Sequence, residues 1–327
     1  MPLFCRDFLR DTAIVLASAM LLGSAACSSE DTSATGAGAG AGPTSSASSS
    51  QGSGGSTSSS TGSSMGGGGA GAVCPGMGYG GDGVAEAGGT VQGTLVDVSG
   101  APVAGQPLYI CGTDLCSPPA KSGSQGEVMI ATNTMMKKRA FKFGDALTYA
   151  ELSIPLTMAT SDFGTITTGK LPAQGAALAP GGDAASGGVT VSIPAKTSVV
   201  VDELVYDTPD KQLFRAVEIP VAKAKPVLDP VMIGGMAANF EILYGVAPAQ
   251  TTICPAAKIT VPNAPGWPAG TAVEFWITTV ATAQEYAPYA GWAKASDGEV
   301  SADGMTVSTS AAGGFIYLDT FAVRKAP

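Results

Sequence analysis

Short segments rich in Val, Ile, Thr and aromatic residues recur along residues 74–327, and turns containing Gly or Pro separate them. The segments are 91–98, 108–111, 127–131, 189–193, 198–206, 259–261, 273–280, 306–308 and 315–321. Short segments at this spacing are typical of β-sandwiches. In 189–193 apolar and hydroxyl side chains alternate, as in a half-buried strand. No sustained helical period accompanies them, so the sequence predicts an all-β fold with two β-sandwich modules.

A tract of different composition precedes these segments. Residues 28–73 contain 13 Gly, 15 Ser, 7 Ala and 5 Thr, which is 40 of 46 positions, and no aromatic residue. Such a chain buries too little apolar surface to offset the conformational entropy lost on folding. We therefore expect a disordered linker at 27–73, with a span of about 35–40 Å as a flexible coil. The two predicted modules follow it, at 74–170 and 171–327.

The first 26 residues have the features of an export signal. Arg6 and Arg10 precede an apolar run at 13–22, and small residues then lead to Cys27. The run is too short to span a membrane permanently, because a spanning helix takes about 20 apolar residues. The sequence therefore predicts an exported protein.

The residues around Cys27 resemble a bacterial lipobox, although Ser24 occupies the position where lipoproteins usually carry an aliphatic residue. The resemblance implies that the Cys27 thiol receives a diacylglyceryl group and that a palmitate-bearing cysteine begins the mature chain. Ser28 after the cysteine implies the outer membrane of a Gram-negative cell. Cleavage by an ordinary signal peptidase, which would release a soluble secreted protein, remains an alternative.

The charged residues exclude several classes of function. The chain has no histidine, which removes Ser/His/Asp and Cys/His catalysis and imidazole metal sites. Its net charge is −9, and no Lys or Arg lies between Arg10 and Lys121. A nucleic-acid partner needs clustered cations, so none is expected.

The start of the first module resembles a known family. Residues 91–97 are VQGTLVD, 100–105 are GAPVAG and 126–128 are GEV. Together they resemble the carboxypeptidase regulatory-like domain, a seven-stranded sandwich of the transthyretin type, although Gln125 occupies the position of the usual aspartate. The resemblance implies an accessory or binding module without catalytic residues.

Parts of the second module also resemble known sandwiches. Residues 187–194 are GGVTVSIP, 261–263 are VPN, 268–273 are PAGTAV and 300–304 are VSADG. They resemble segments of predicted bacterial surface lipoproteins and, more distantly, the sandwich modules of ankyrins and netrin receptors. The resemblance implies an Ig-like second sandwich.

The cysteine count predicts disulfides. When Cys5 leaves with the signal and Cys27 carries lipid, four cysteines remain in an exported protein. They are Cys74, Cys111, Cys116 and Cys254. Three pairings are open, and we favour Cys111 with Cys116, because the short loop between them can bring the Cα atoms within about 7 Å. Cys74 with Cys254 would then join the start of the folded region to the second module. A zinc site is not expected, because Cys74 and Cys254 lack a nearby second ligand.

All three tryptophans, Trp267, Trp276 and Trp292, lie close together in sequence, with Tyr286 and Tyr289 beside them. Exposed rings of this kind would form a platform on which sugars stack, whereas buried rings would fill the sandwich core. Both alternatives are open. Trp276, inside the segment 273–280, is the expected core member.

Charged residues cluster at three further places in the sequence. Two acidic stretches consist of Asp202, Glu203, Asp207 and Asp210, and of Asp297, Glu299 and Asp303. We expect solvated strand ends and turns there, with calcium ligation or paired-carboxylate catalysis as alternatives. The basic run 137–139 is expected in a solvated loop, with a docking patch for acidic polysaccharide as the alternative.

Taken together, the sequence predicts a lipid-anchored protein at the outer membrane or cell surface that acts by binding or scaffolding. No enzymatic step, cofactor or metal is expected. The partners would be the membrane, through the lipid, and a glycan or surface protein. The alternatives are a carbohydrate- or calcium-dependent binding protein and a soluble secreted protein of the same fold.

Overall fold

The computed structural model describes residues 78–81, 83–203, 205–311 and 313–327. The predicted signal, Cys27, Cys74 and the predicted linker lie outside these ranges. Strands and turns make up nearly all of the described chain, so the all-β prediction is confirmed. No helix in the described ranges is long and apolar enough to cross a membrane.

The described chain contains twenty strands. In chain order they are β1 (Ala85–Asp97), β2 (Pro107–Cys111), β3 (Ala120–Lys121), β4 (Glu127–Lys137), β5 (Ala140–Phe143), β6 (Leu152–Pro155), β7 (Thr160–Thr168), β8 (Asp183–Ser186), β9 (Val189–Ser192), β10 (Ser198–Val200), β11 (Arg215–Glu218), β12 (Met232–Ile233), β13 (Met236–Ala237), β14 (Ile242–Ala247), β15 (Thr251–Pro262), β16 (Ala272–Thr278), β17 (Trp292–Val300), β18 (Thr306–Thr309), β19 (Phe315–Leu318) and β20 (Phe321–Lys325). A 3-10 turn at Val221–Lys223 and the short helix α1 (Lys225–Leu228) lie between β11 and β12.

The first seven strands form two sheets, in the orders β4-β1-β7 and β3-β2-β5-β6. In β1, Val91 and Leu95 are fully buried between the sheets, while Thr94 is exposed, as the period of two in a strand requires. Gly126 has a φ of +79°, and a Cβ there would collide with the carbonyl oxygen of Leu95. Only glycine fits this turn, which explains the glycine of the GEV motif.

Most of the later strands form one large sheet in the order β11-β14-β20-β16-β17-β18-β15-β9-β8, with β10 and β19 also paired to β15. The sheet curls until its two ends approach each other, and the Ala216 N–H donates to Ser186 Oγ at 3.3 Å. Phe275, Phe315 and Phe321 are fully buried inside it. The strands β12 and β13 form a separate small hairpin.

The apolar core of the first seven strands continues into the later part of the chain. Its buried members there include Ile219, Val227, Phe240, Leu243 and Ala322. Burial of apolar surface is the main favourable term in folding, and here it joins the two halves. We therefore expect the two sandwiches to unfold together.

Two predicted strands end differently in the structure. The segment 198–206 is a strand only as far as Val200, because the N–H groups of Val205 and Tyr206 both donate to the Asp202 carbonyl and form a turn. The segment 315–321 divides into β19 and β20, with Asp319 between them. Several strands that the sequence did not predict are either apolar throughout, as in β14, or rich in polar and small residues, as in β17.

Candidate functional site

The prediction of a Cys111–Cys116 disulfide is confirmed, with the two Cα atoms 3.9 Å apart. The Gly112 N–H donates to the Leu115 carbonyl at 2.7 Å and closes the loop between the cysteines. Cys111 packs with Tyr289 of the second module, so the loop lies where the two modules meet. Cys254 is also disulfide-bonded, and its predicted partner Cys74 lies outside the described residues.

Replacing both Cys111 and Cys116 by Ser is expected to lower the free energy of unfolding by about 2 kcal/mol, the chain-entropy value for a loop this short. Urea denaturation of the variant would measure the loss. Oxidised wild-type protein is the reference, and no reductant is added, because a reductant would also break the disulfide of Cys254. A variant as stable as the oxidised wild type would contradict the expectation.

The structure places most of the predicted stacking platform in the core. Trp267 is 3% exposed, and Tyr286 and Tyr289 are each 7% exposed, so these rings offer no free face to a sugar. The alternative of a sugar-stacking platform is therefore wrong for three of its four residues. The fourth, Trp292, is only partly buried, and its ring lies 5.1 Å from that of Phe240.

The most buried tryptophan is Trp267 rather than Trp276. The Asn263 side chain holds Trp267 in place, since its amide donates to the Trp267 carbonyl at 2.7 Å and its oxygen accepts from the Trp267 N–H at 3.0 Å. Trp276 instead lies on the same face of β16 as Glu274. The Glu274 carboxylate needs charged and polar partners, so this face is not purely apolar. The sequence shows the strand but not which of its faces is charged.

Glu274 is the centre of a charge network that sequence reasoning missed. Its carboxylate accepts from Arg324 Nε at 2.8 Å, Lys294 Nζ at 3.1 Å and Trp276 Nε1 at 3.1 Å. The Arg324 guanidinium also lies 5.1 Å from the centre of the Trp276 ring. Burial alone would raise the pKa of Glu274, but these donors outweigh it and lower the pKa. The network uses strands β16, β17 and β20, whose pairing cannot be seen in the sequence.

A second missed cluster surrounds Asp319, which is 6% exposed in the link between β19 and β20. The Tyr286 hydroxyl donates to Asp319 Oδ2 at 3.0 Å, and the Thr320 N–H donates to Oδ1 at 2.7 Å. The Tyr286 hydroxyl also lies 2.6 Å from Thr279 Oγ1. The ring of Tyr286 stacks on Tyr317 with centroids 4.0 Å apart. Tyr286 therefore orients the carboxyl of Asp319 from inside the core.

The first module adds charge to this cluster. Glu151 forms an ion pair with Lys142 at 2.9 Å, and its carbonyl accepts from Thr320 Oγ1 at 3.2 Å. Burial alone would lower the pKa of Lys142, but the Glu151 carboxylate outweighs it and the pKa is raised. Burial raises the pKa of Asp319 to about 7, and the nearby Glu151 charge adds to the shift. The arrangement can hold a proton on Asp319 near neutral pH.

The space beside this cluster is small. A pocket of about 60 Å³ is lined by Glu285, Tyr286, Lys294 and Tyr317 among others. Pockets for small-molecule ligands usually have volumes of about 300–1,000 Å³. This pocket has room for a few water molecules. The Asp319 cluster is therefore a buried polar contact between modules rather than an open site.

The acidic stretches form local ion pairs and turns. Asp207 pairs with Lys211 at 2.8 Å, and Asp297 pairs with Lys294 at 2.6 Å. Asp303 accepts from the Ser301 hydroxyl at 2.6 Å within its own turn. These contacts support the solvated-turn alternative. Among the residues that the structure describes, no group of three or more Cys, Asp or Glu side chains could hold a metal ion.

The basic run is not a solvated loop throughout. Arg139 is 8% exposed, and its guanidinium donates to the Ala87 carbonyl and to Glu86, both at 2.5 Å. Lys138 Nζ donates to Gln284 Oε1 at 2.6 Å and so contacts the second module. The expectation was wrong for Arg139 because the start of β1 folds over its side chain and supplies acceptors that the sequence does not place nearby.

No protein-family model matches this chain, and no curated protein matches it.

Proposed function

We propose that the chain is a lipid-anchored protein of the bacterial outer membrane or cell surface that acts as a binding or structural module without catalysis. The anchor is the diacylglyceryl group on Cys27. The Gly- and Ser-rich tract at 28–73 connects the lipid to the folded unit. The partners are the membrane and a glycan or protein at the same surface.

The observation that carries the proposal is the order of the segments along the chain. An apolar run at 13–22 precedes Cys27, a polar tract of 46 residues follows at 28–73, and the all-β unit comes last. A polar Gly- and Ser-rich tract directly after a lipidated residue has the composition of a linker between an anchor and a folded unit. Stable anchoring of this kind takes more than one acyl chain, which a diacylglyceryl cysteine provides.

The fold gives two further supports. The first seven strands form two facing sheets with a glycine-dependent turn at Gly126, which supports a sandwich module at the start of the folded unit. The core of these strands includes residues of the later strands, so the loops of both sandwiches can be presented by one folded unit. Loops on a rigid β scaffold are a common place for binding residues.

Replacing Cys27 by Ala is expected to move the protein from the membrane fraction to the soluble fraction, because no acyl chain can then be attached. Detergent phase partitioning and intact-mass measurement of the mature chain would both show the change. Cys5→Ala, a cysteine in the predicted signal, is the matched control and should leave the protein in the detergent phase. A Cys27→Ala protein that stays fully membrane-bound, or wild-type protein with an unmodified thiol, would contradict the anchor and favour the soluble secreted alternative.

A further inference from the structure

A pocket of about 360 Å³ lies beside the basic run. Its polar wall consists of Glu86, Lys138 and Arg139, and its apolar wall includes Met136 and Leu156. We call it the Arg139 pocket. Its volume falls within the range of about 300–1,000 Å³ that is usual for small-molecule sites.

The charges in the Arg139 pocket are unusual for this protein. The chain as a whole has a net charge of −9, yet this pocket has two cationic side chains and one carboxylate. The Arg139 side chain is 6% exposed, whereas that of its partner Glu86 is 61% exposed. Arg139 is therefore fixed by its surroundings, while Glu86 is largely in solvent and can move aside at small cost.

The guanidinium of Arg139 is also held by backbone. Its Nη1 donates to the Ala87 carbonyl, and its Nη2 donates to Glu86. Lys138 forms a hydrogen bond with a neutral amide, that of Gln284, and no acidic side chain in the described ranges pairs with it. A bound anion would therefore meet one preorganised guanidinium and one ammonium that lacks a carboxylate partner.

We propose that the Arg139 pocket binds the carboxylate of an acidic sugar, such as a uronic acid residue of a polysaccharide. The planar guanidinium matches a carboxylate better than an ammonium does, because its N–H groups form a fork. The ring of the sugar would lie against Val84, an exposed apolar residue of the same pocket. Glu86 occupies the Arg139 fork in the free protein and acts as an internal competitor that the ligand carboxylate displaces.

This inference names a ligand class for the proposed binding role, and it does not depend on the anchor. Binding is measured on detergent-solubilised full-length protein, whereas the anchor is tested by partitioning and mass. Failure to bind a sugar would therefore leave the anchor and a scaffolding role intact, and loss of the anchor would leave the pocket unchanged.

The test is isothermal titration calorimetry with trigalacturonic acid, and maltotriose is the neutral control. Wild-type protein should bind the first and not the second. Glu86→Gln removes the competing carboxylate and should tighten binding of trigalacturonic acid about 3- to 5-fold. Lys138→Gln keeps a donor for Gln284 but removes the charge, and it should weaken binding about 10-fold. Lys121→Ala, at an exposed lysine of β3, is the matched control and should change nothing.

Thermal unfolding of each variant separates loss of the site from loss of the fold. The proposal is overturned if folded wild-type protein binds neither sugar at millimolar concentration, or binds both equally. It is also overturned if folded Glu86→Gln protein binds trigalacturonic acid more weakly than wild type, because Glu86 would then be a ligand contact rather than a competitor. Equal weakening by Lys138→Gln and Lys121→Ala would show a general charge effect and no pocket.

Discussion

Replacing Asp319 by Asn is expected to stabilise the protein at pH 8 and to remove the decrease in stability that ionisation of Asp319 causes between pH 4 and pH 7. Burial raises the pKa of Asp319 from 3.8 to about 7 in the folded protein. Between these two values the folded state binds a proton that the unfolded state has lost, so stability decreases as pH rises through this range. Asn resembles the protonated carboxyl in shape and carries no charge to bury.

The size of the expected change in stability follows from the shift in the pKa of Asp319. Each pKa unit corresponds to about 1.4 kcal/mol, so a shift of about three units sets a ceiling of about 4 kcal/mol on the difference between pH 4 and pH 8. The Asn amide can donate to the Tyr286 oxygen, and the Asn carbonyl can accept from the Thr320 N–H, because both groups already contact Asp319. The hydrogen bonds of the cluster are therefore retained.

Urea denaturation of wild type and variant at pH 5 and pH 8 measures the effect. Asp207→Asn is the control, because Asp207 is exposed and pairs with Lys211 on the surface. It should leave the stability at both pH values nearly unchanged, because an exposed ion pair contributes little. An Asp319→Asn protein that is less stable than wild type at pH 8 would show that the ionised carboxylate stabilises the fold.

Replacing Phe141 by Ala is expected to lower the free energy of unfolding by about 3–5 kcal/mol, through lost burial and the cavity that remains. Phe141 is fully buried in the first module, and its ring centroid lies 5.2 Å from that of Phe143 and 6.2 Å from that of Phe163. Because the same core includes Phe240 and Leu243, the second module should lose stability together with the first.

Tryptophan fluorescence reports this coupling, since all three tryptophans lie in 267–292 and none lies in the first module. The fluorescence transition of Phe141→Ala should shift to lower urea concentration and remain single. Met129→Ala, at a side chain 62% exposed on β4, is the control and should shift it little. An unchanged fluorescence transition would mean that the modules unfold independently.

The sequence predicted well where local chemistry decides the structure. The Cys111–Cys116 pairing depends on a loop of four residues, and the strand in 189–193 depends on the alternation of side chains along a short segment. It predicted poorly where a side chain depends on a distant strand. Arg139 was expected in solvent, yet it lies under the start of β1.

The same difference applies to the candidate sites. Glu274 accepts from Arg324, which lies 50 residues further along the chain, and Asp319 accepts from Tyr286, which lies 33 residues before it. A burial pattern alone could not place them, because a buried carboxylate is stable only with partners that the sheet order brings to it. The sequence contained a signal for Trp267 in the nearby Asn263, whose amide can cap a turn four residues on.

The sequence by itself determined the all-β class, the short disulfide loop and the abrupt change of composition at the Gly- and Ser-rich tract, because each depends on residue types and spacings along the chain. Only the tertiary structure decided that the core of the first sandwich extends onto the later strands, that the predicted aromatic platform is mostly buried, and that a pocket forms at Arg139. These features depend on contacts between residues far apart in sequence, and strand order sets those contacts.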